Sequence, residues 1–405
     1  MPITSRRANA ALLMLAVSTF SYVTIEVLPI GLLTVIAGDL DRSRSEVGLL
    51  VTGYAAVVVL ASIPLARLTL RLPRRLVLGT TLGVLAVSTA LSAAAPTYEI
   101  LFASRLLTAL SQALFWAIAP PIATSLFPPQ VRGRVVARLA IGTALAPVLG
   151  IPLGTWLGEQ AGWRVPLAVM AVLGAVACAG ILLLLPALGG RNGATGRGSS
   201  PDVRRYGVIL ASSAIGVTGF LTFNTYVTPF LLDITGLPRD ALGPMLLASG
   251  VGGLTGTLIV GRILDRFPWG SVVVSYALLS CALAGLYVFG GHLVATVALI
   301  AVTGLAFSGM AVAVQNRTLQ VAPGSTDLAS AGTSSAFNVG IAAGAFIGGG
   351  LVDGVGVHSV ALVGALLAAA AVLTLLVEPV LARRRVRVAE CEHDRPGRQV
   401  CEEAA

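Results

Sequence analysis

Lysine is absent from this chain of 405 residues, and all 27 basic side chains are arginine. Charge of either sign is scarce, at 11 % of residues, where soluble domains carry roughly a quarter. Without lysine no GxxxxGK[ST] phosphate loop can be completed, which argues against ATP-driven work by this chain alone. Cysteine is scarce too. Cys178 and Cys281 fall in apolar blocks and Cys391 and Cys401 in a polar tail, so neither a disulfide framework nor a zinc site is implied. No nucleophile–base triad, metal-ligand cluster or soluble catalytic region stands out, and the expectation is a protein that is not an enzyme and needs no cofactor. Runs of alternating polarity long enough for a spanning barrel strand are missing as well.

What is present is apolar sequence, 56 % of residues, in long blocks. About 20 apolar residues cross the hydrocarbon core as a helix. Twelve such blocks can be drawn at Ala8–Ala37, Val47–Ala66, Leu76–Ala95, Tyr98–Ser125, Val135–Leu157 and Val165–Leu185, then Tyr206–Leu232, Ala241–Gly261, Ser271–Gly290, Leu293–Gln315, Leu328–Gly350 and Val357–Leu381. The predicted fold is an all-α membrane protein of two six-helix bundles, residues 1–186 and 206–381. They are joined by a polar linker, 187–205, and followed by a polar tail, 382–405, expected to be disordered. Arg6 and Arg7 precede an apolar block longer than a signal-peptide core, so the first block reads as an uncleaved helix.

The net charge of +9 does not point to nucleic acid, because of where the arginines fall. With the N-terminus in the cytoplasm, 22 arginines lie in cytoplasmic segments, four in external loops, and Arg105 within a span. That is a strong positive-inside bias. It sets both termini in the cytoplasm, and the arginine-rich tail would meet anionic headgroups of the bilayer. The halves also repeat. Arg67 to Pro73 closes the second span and Arg262 to Pro268 closes the eighth, at an offset of 195, while Glu26-Val-Leu-Pro29 and Tyr226-Val-Thr-Pro229 match at an offset of 200. Repeats of this kind place a binding site near the midplane between the halves.

Glu26 is the one carboxylate deep in a span. Such a group costs at least about 2.5–3.5 kcal/mol in the bilayer, so it is expected to face a cavity and to act. A carboxylate neutral in one state and charged in another is what proton coupling needs. Arg105 lies within about a helical turn of the same depth, so an ion pair or a shared water network with Glu26 is geometrically open. The alternative is that Arg105 bonds backbone carbonyls or reaches outward. Tyr22, Gln112 and Trp116 share these helix faces, and Asn224 and Tyr226 occupy the mirrored stretch of the seventh span. These five are the substrate-binding candidates, against the plainer reading that they pack. Gly142, Pro147, Gly150 and Gly154 in the fifth span, and Asn338, Gly340 and Gly344 in the eleventh, form small-residue surfaces that let helices approach closely. They serve either sliding or static packing.

These residues resemble the major facilitator superfamily, in its twelve-span drug:proton antiporter branch, nearest to sugar-efflux, arabinose-efflux and chloramphenicol-resistance-type exporters. Four stretches carry the likeness. Glu26 to Leu33 resembles the group's first-helix signature, and Arg105 with Gln112 the arginine motif of helix four. Gly142 to Gly154, followed by Gly162-Trp163-Arg164, resembles the antiporter motif of helix five. Gln315-Asn-Arg317, Ala322-Pro-Gly324 and Ala336 to Gly340 resemble the passage from helix ten to eleven. The loop motif after helices two and eight is uneven. Gly261, Asp265 and Arg266 keep it in the second copy. The first has Ala66 and Leu70 in place of glycine and aspartate and retains Arg71, Arg74 and Arg75. The resemblance implies the major facilitator fold, a monomer in a bacterial inner membrane, and alternating-access efflux of a small molecule (drug, sugar or related metabolite) in exchange for protons. Glu26 and Arg105 would couple the proton, and the paired loops and glycine-rich helices would gate. An importer of the same fold, or a transport-inactive sensor or assembly protein, are the rival readings.

Overall fold

The computed structural model describes residues 5–185, 198–238 and 241–393. Among them there is no strand, and twelve helices are long and apolar enough to cross a membrane. They are α1 (Arg6–Gly31), α2 (Glu46–Thr69), α3 (Arg74–Ala93), α4 (Tyr98–Ser125), α5 (Pro129–Ala161) and α6 (Arg164–Leu184), then α7 (Val203–Asn224), α8 (Leu242–Ile263), α9 (Pro268–Phe289), α10 (Leu293–Val321), α11 (Thr326–Gly354) and α12 (Ser359–Pro379). Leucine and valine cover the outside as well as the core: Leu60, Leu183 and Val294 are 74, 73 and 82 % exposed. Apolar surface on this scale suits hydrocarbon and not water.

The two halves repeat the same helix pairings. In the first, α1 packs on α5 and α6, α2 on α4, and α3 on α4 and α6. In the second, α7 packs on α11 and α12, α8 on α10, and α9 on α10 and α12. The seam between the halves obeys the same symmetry, with α2 and α4 against α11, and α8 and α10 against α5. The repeat legible in the loop sequences is thus a repeat of packing.

Proline placement shapes the ends of the first helix in each half. The first and seventh spans, expected as single helices to Ala37 and Leu232, are each split. Short helices at Leu33–Asp39 and Val227–Asp233 follow a break at Leu32 and at Thr225–Tyr226. A proline withholds the N–H that the carbonyl four residues earlier needs. Pro229 does this to Thr225, at the break itself, and Pro29 does it to Ile25. The fifth span is longer than expected, 33 residues, and contains a wide π turn at Ala146–Gly150 around Pro147. Such turns interrupt the regular ladder and re-aim the residues beyond them.

At the arginine-rich end, the chain entering α7 lies along the end of α10. The N–H groups of Gly198, Ser200 and Asp202 donate to the carbonyls of Ala322, Gln320 and Val321 at 3.1, 2.8 and 3.0 Å. Asp202 then caps α7 by accepting from the N–H groups of Arg204 and Arg205, as N-cap carboxylates do. The last helix continues to His393, past Leu381, so the start of the tail is helical where disorder is expected from its composition. Linker residues 186–197 and tail residues 394–405 lie outside the described residues.

Candidate functional site

Glu26 sits on α1 with its carboxylate turned to α4, where the amide of Gln112 donates to Oε2 at 2.8 Å. The side chain points into the half and not toward lipid, and Glu26 keeps part of its surface exposed. Tyr54 of α2 donates its hydroxyl to the other end of the same amide, Gln112 Oε1, at 2.6 Å. Tyr54 is fully buried, and its ring lies under the guanidinium of Arg105, 5.1 Å from the ring centroid. Three helices therefore meet at one hydrogen-bonded chain, Tyr54–Gln112–Glu26, with a cation beside it.

Arg105 is buried and donates to the carbonyls of Ile25 at 3.0 Å and Glu26 at 3.2 Å. The two residues meet at the same depth, as their positions in the spans predict, yet the guanidinium holds the backbone of α1 and not the carboxylate. Of the alternatives open in the sequence, the bond to backbone carbonyls is the one observed. The reason is local. Ile25 is the residue whose carbonyl Pro29 leaves without a helical N–H, and the planar fork of arginine can reach two adjacent oxygens. In α10, the counterpart of α4, the first arginine is Arg317. The corresponding carbonyl in α7, that of Thr225, lies at the break of the helix.

The substrate-binding candidates divide. Gln112 belongs to the chain just described. Tyr22 is sealed in the core of the first half, donating to Ser111 Oγ at 3.1 Å and the Thr81 carbonyl at 3.3 Å, with its ring 4.6 Å from that of Phe115. These contacts tie α1 to α3 and α4. Trp116, half-buried, stands edge-on to Phe115 at 5.7 Å. Asn224 is partly exposed at the end of α7. The hydroxyl of Tyr226 donates to the Ala345 carbonyl of α11 at 3.0 Å, within the second half. The five do not converge on one pocket.

The glycine stripes face inward in each half. Gly142, Gly150 and Gly154 of α5 abut Ala16 and Thr19, Thr24, and Leu28 of α1, with Pro147 in the π turn between them. Gly340 and Gly344 of α11 abut Val217 and Leu221 of α7. Asn338, buried nearby, donates to the Ser334 carbonyl of its own helix. Both stripes thus pack against the first helix of their own half. The seam between halves uses other residues. Gly261 of α8 meets Ala137 of α5. Asp265, just beyond α8, accepts from the N–H of Gly133 at 2.6 Å and of Arg134 at 3.3 Å, and its Oδ2 lies 3.5 Å from Arg134 Nε. A carboxylate at the start of a helix meets unpaired N–H groups and the positive end of the dipole. Arg266 covers the ring of Phe267, and Arg71 is exposed.

In the first copy of that loop, where Leu70 replaces the aspartate, the polarity of the clasp is reversed. Arg74, at the start of α3, forms a fully buried ion pair with Asp327 at the start of α11. A second buried carboxylate, Glu378 of α12, accepts at Oε1 from Arg205 Nε at 3.0 Å and Arg317 Nε at 3.1 Å, binding α7, α10 and α12 together. Sequence reasoning missed both acids because each falls at the edge of a drawn span, Asp327 one residue before Leu328 and Glu378 three before Leu381. It missed Tyr54 because nothing marks one tyrosine in an apolar run until Gln112 is opposite it. At the far end, Asp39 Oδ2 accepts from Arg164 at 2.6 Å and from Trp163 Nε1 at 3.0 Å, and these two bonds hold the Asp39 carboxyl below its usual range. Gly162, with φ +90°, makes the turn that presents Trp163 and Arg164, a conformation that suits glycine.

Twelve membrane-length helices in two pseudo-symmetric halves, with a polar chain buried in one half and charged clasps across the seam, define a multi-pass membrane protein of transporter architecture. The chain belongs to the Major Facilitator Superfamily, whose family model matches residues 14–323. It is 32 % identical over 364 residues to a "Probable sugar efflux transporter" of Mannheimia succiniciproducens, covering 89 % of this chain and 91 % of that one. It is 36 % identical over 361 residues to a "Chloramphenicol efflux pump" of Mycobacterium tuberculosis, covering 85 and 86 %. Among solved structures, the human organic anion transporter MFSD10 superposes with a TM-score of 0.75 at 17 % identity, covering 92 % of this chain and 99 % of that one. The transporter FucP, in its outward conformation, superposes at 0.70 and 15 % identity, covering 91 and 98 %. At such identities the likeness is one of fold.

Proposed function

We propose that this protein exports a small organic compound, a sugar, a drug such as chloramphenicol or a related metabolite, in exchange for protons by alternating access. The observation that carries the proposal is the placement of Glu26, an acid inside a membrane-spanning half, partly exposed, hydrogen-bonded by Gln112 and beside Arg105. In this reading Glu26 takes a proton from outside, gives it up inside, and is charged in one half of the cycle only. Arg105 keeps a fixed positive charge next to it and holds α1 in place. The export direction follows the names of the relatives, two of which are efflux proteins at above 30 % identity.

The arginine-rich end is assigned to the cytoplasm by the positive-inside bias. On that assignment, the clasps of Arg74 with Asp327 and Asp265 with the start of α5 close the cytoplasmic side of the seam, and opening them exposes the site inward. Arg71, Arg266, Gly261 and the glycine-rich helices belong to the moving parts, the helices of each half turning together as rigid bodies. Function needs a single copy, both termini in the cytoplasm, and the bilayer of a bacterial inner membrane. The test is uptake of chloramphenicol and of simple sugars into everted membrane vesicles with an imposed acid interior. The proposal expects gradient-driven accumulation of at least one of them. Substrate leaving the vesicles together with protons would identify an importer instead.

A further inference from the structure

The amide of Gln112 has two ends, and the structure fixes which faces Glu26. Its NH2 is turned to Glu26 Oε2 at 2.8 Å, as a charged carboxylate requires, and its Oε1 accepts from the hydroxyl of Tyr54 at 2.6 Å. A charged carboxylate only accepts hydrogen bonds, and an amide NH2 only donates. The arrangement is therefore complementary to the charged acid. A protonated Glu26 keeps one oxygen that can accept from the NH2 but gains an O–H donor that the NH2 cannot receive. A half-turn of the amide gives that O–H an acceptor: Oε1 then accepts from Glu26, and the NH2 turns to Tyr54. A hydroxyl can donate or accept, so Tyr54 can partner either end of the amide, which a charged carboxylate or an ammonium could not.

Tyr54 also stands where such a reversal has mechanical reach. It lies on α2, which with α4 forms the face of the first half that packs on α11 of the second. Its ring is held under the Arg105 guanidinium, which is itself pinned to the α1 carbonyls. The charged or titratable groups around Glu26 are Arg105 from α4 and Tyr54 from α2, with Tyr22 one turn away on α1. From α5 the adjoining turns of α1 meet Gly150 and Gly154, and α6 reaches α1 at Met14 through Gly180.

We infer that Tyr54 is a positioning residue for proton coupling: its hydroxyl holds the Gln112 amide toward charged Glu26, and reversal of the Tyr54–Gln112 hydrogen bond carries the protonation of Glu26 from α1 through α4 to the seam helix α2. This rests on the reading of Glu26 as the proton site. The test is infrared difference spectroscopy of the full-length protein in lipid across a pH titration, with the Glu26 carboxyl band assigned by its loss in Glu26→Gln. In the unmodified protein a tyrosine C–OH band changes with the same midpoint as the Glu26 band and vanishes from the difference spectrum of Tyr54→Phe. In Tyr54→Phe the Glu26 midpoint is displaced by about half a pH unit or more, the scale set by one hydrogen bond. In a Gln112→Leu background Tyr54→Phe displaces it no further. An unchanged midpoint in Tyr54→Phe, an equal displacement in the Gln112→Leu background, or no tyrosine band tracking Glu26 in the unmodified protein overturns the role of Tyr54 and leaves the Glu26 reading standing. A protein with no titrating carboxyl band that depends on Glu26 overturns that reading, and this inference with it.

Discussion

The guanidinium of Arg105 donates to the Ile25 carbonyl at 3.0 Å, and Pro29, four residues further along α1, is why that carbonyl is open to it. The proline makes the acceptor and the arginine of another helix uses it, so α1 stays helical to Gly31 with Glu26 one residue from the junction. Lysine in place of Arg105 would keep the charge and lose the two-pronged reach. Arg105→Lys is expected to lower gradient-driven efflux about tenfold, the rate equivalent of ~1.4 kcal/mol. Pro29→Ala, which restores a competing N–H, is expected to lower it less. Initial rates in vesicles, normalised to inserted protein, check both.

The buried pair of Arg74 and Asp327 predicts an asymmetry between single and double substitutions. Removing Asp327 alone leaves a cation buried at the seam, a loss of about 3–5 kcal/mol for the closed arrangement. Replacing both residues by leucine removes that penalty. Asp327→Ala is expected to raise the reactivity of cysteines placed on α2 and α11 at this end, measured with a membrane-impermeant thiol reagent. Arg74→Leu with Asp327→Leu is expected to restore the low reactivity.

Gly142 of α5 is packed so closely on α1 that a Cβ there would fall on the Ala16 carbonyl, whereas Gly38 has nothing within 4 Å. Gly142→Ala is expected to destabilise the first half by about 1–3 kcal/mol, the usual cost of overpacking. Gly38→Ala serves as the control, with no measurable change. Thermal unfolding of the two purified variants in the same detergent tests the contrast.

The clasp of Asp39 with Arg164 and Trp163 should depend on pH in one direction. Its carboxyl is held below the usual range, so the clasp contributes fully above the unfolded-state value of about 3.9 and is lost as pH falls through the lower folded-state value. Because Asp39 and Arg164 are 44 and 39 % exposed, solvent screens the pair and its contribution is below about 1 kcal/mol. Asp39→Asn is expected to lower the melting temperature slightly at neutral pH and not at all in strong acid, by melting curves across pH.

Much of the architecture was legible because membrane spans announce themselves by length and apolarity, and because arginine placement fixes their parity. Glu26 and Arg105 were legible for the same reason: a charge in such a run has no cheap explanation. The partners of those charges were not. The donor to Glu26 is an amide, and the group that orients the amide is a tyrosine on a helix whose angular setting the sequence does not give. Tyr22 and Tyr226 show the converse. Both sit at helical spacing from a site, yet their hydroxyls are consumed by Ser111, Thr81 and Ala345 within one half. The glycine stripes read as a pattern in sequence, but only packing tells that they face α1 and α7, leaving Gly261 and Asp265 to the seam.

The most direct test of proton coupling follows both fluxes at once in everted vesicles: substrate accumulation by radiolabel, and collapse of an imposed acid interior by a pH-sensitive dye. With the unmodified protein, adding a transported substrate should dissipate the proton gradient as substrate accumulates. With Glu26→Gln, inserted to the same level, both signals should be lost together. Accumulation by Glu26→Gln at the unmodified rate, with the gradient still consumed, would contradict the account.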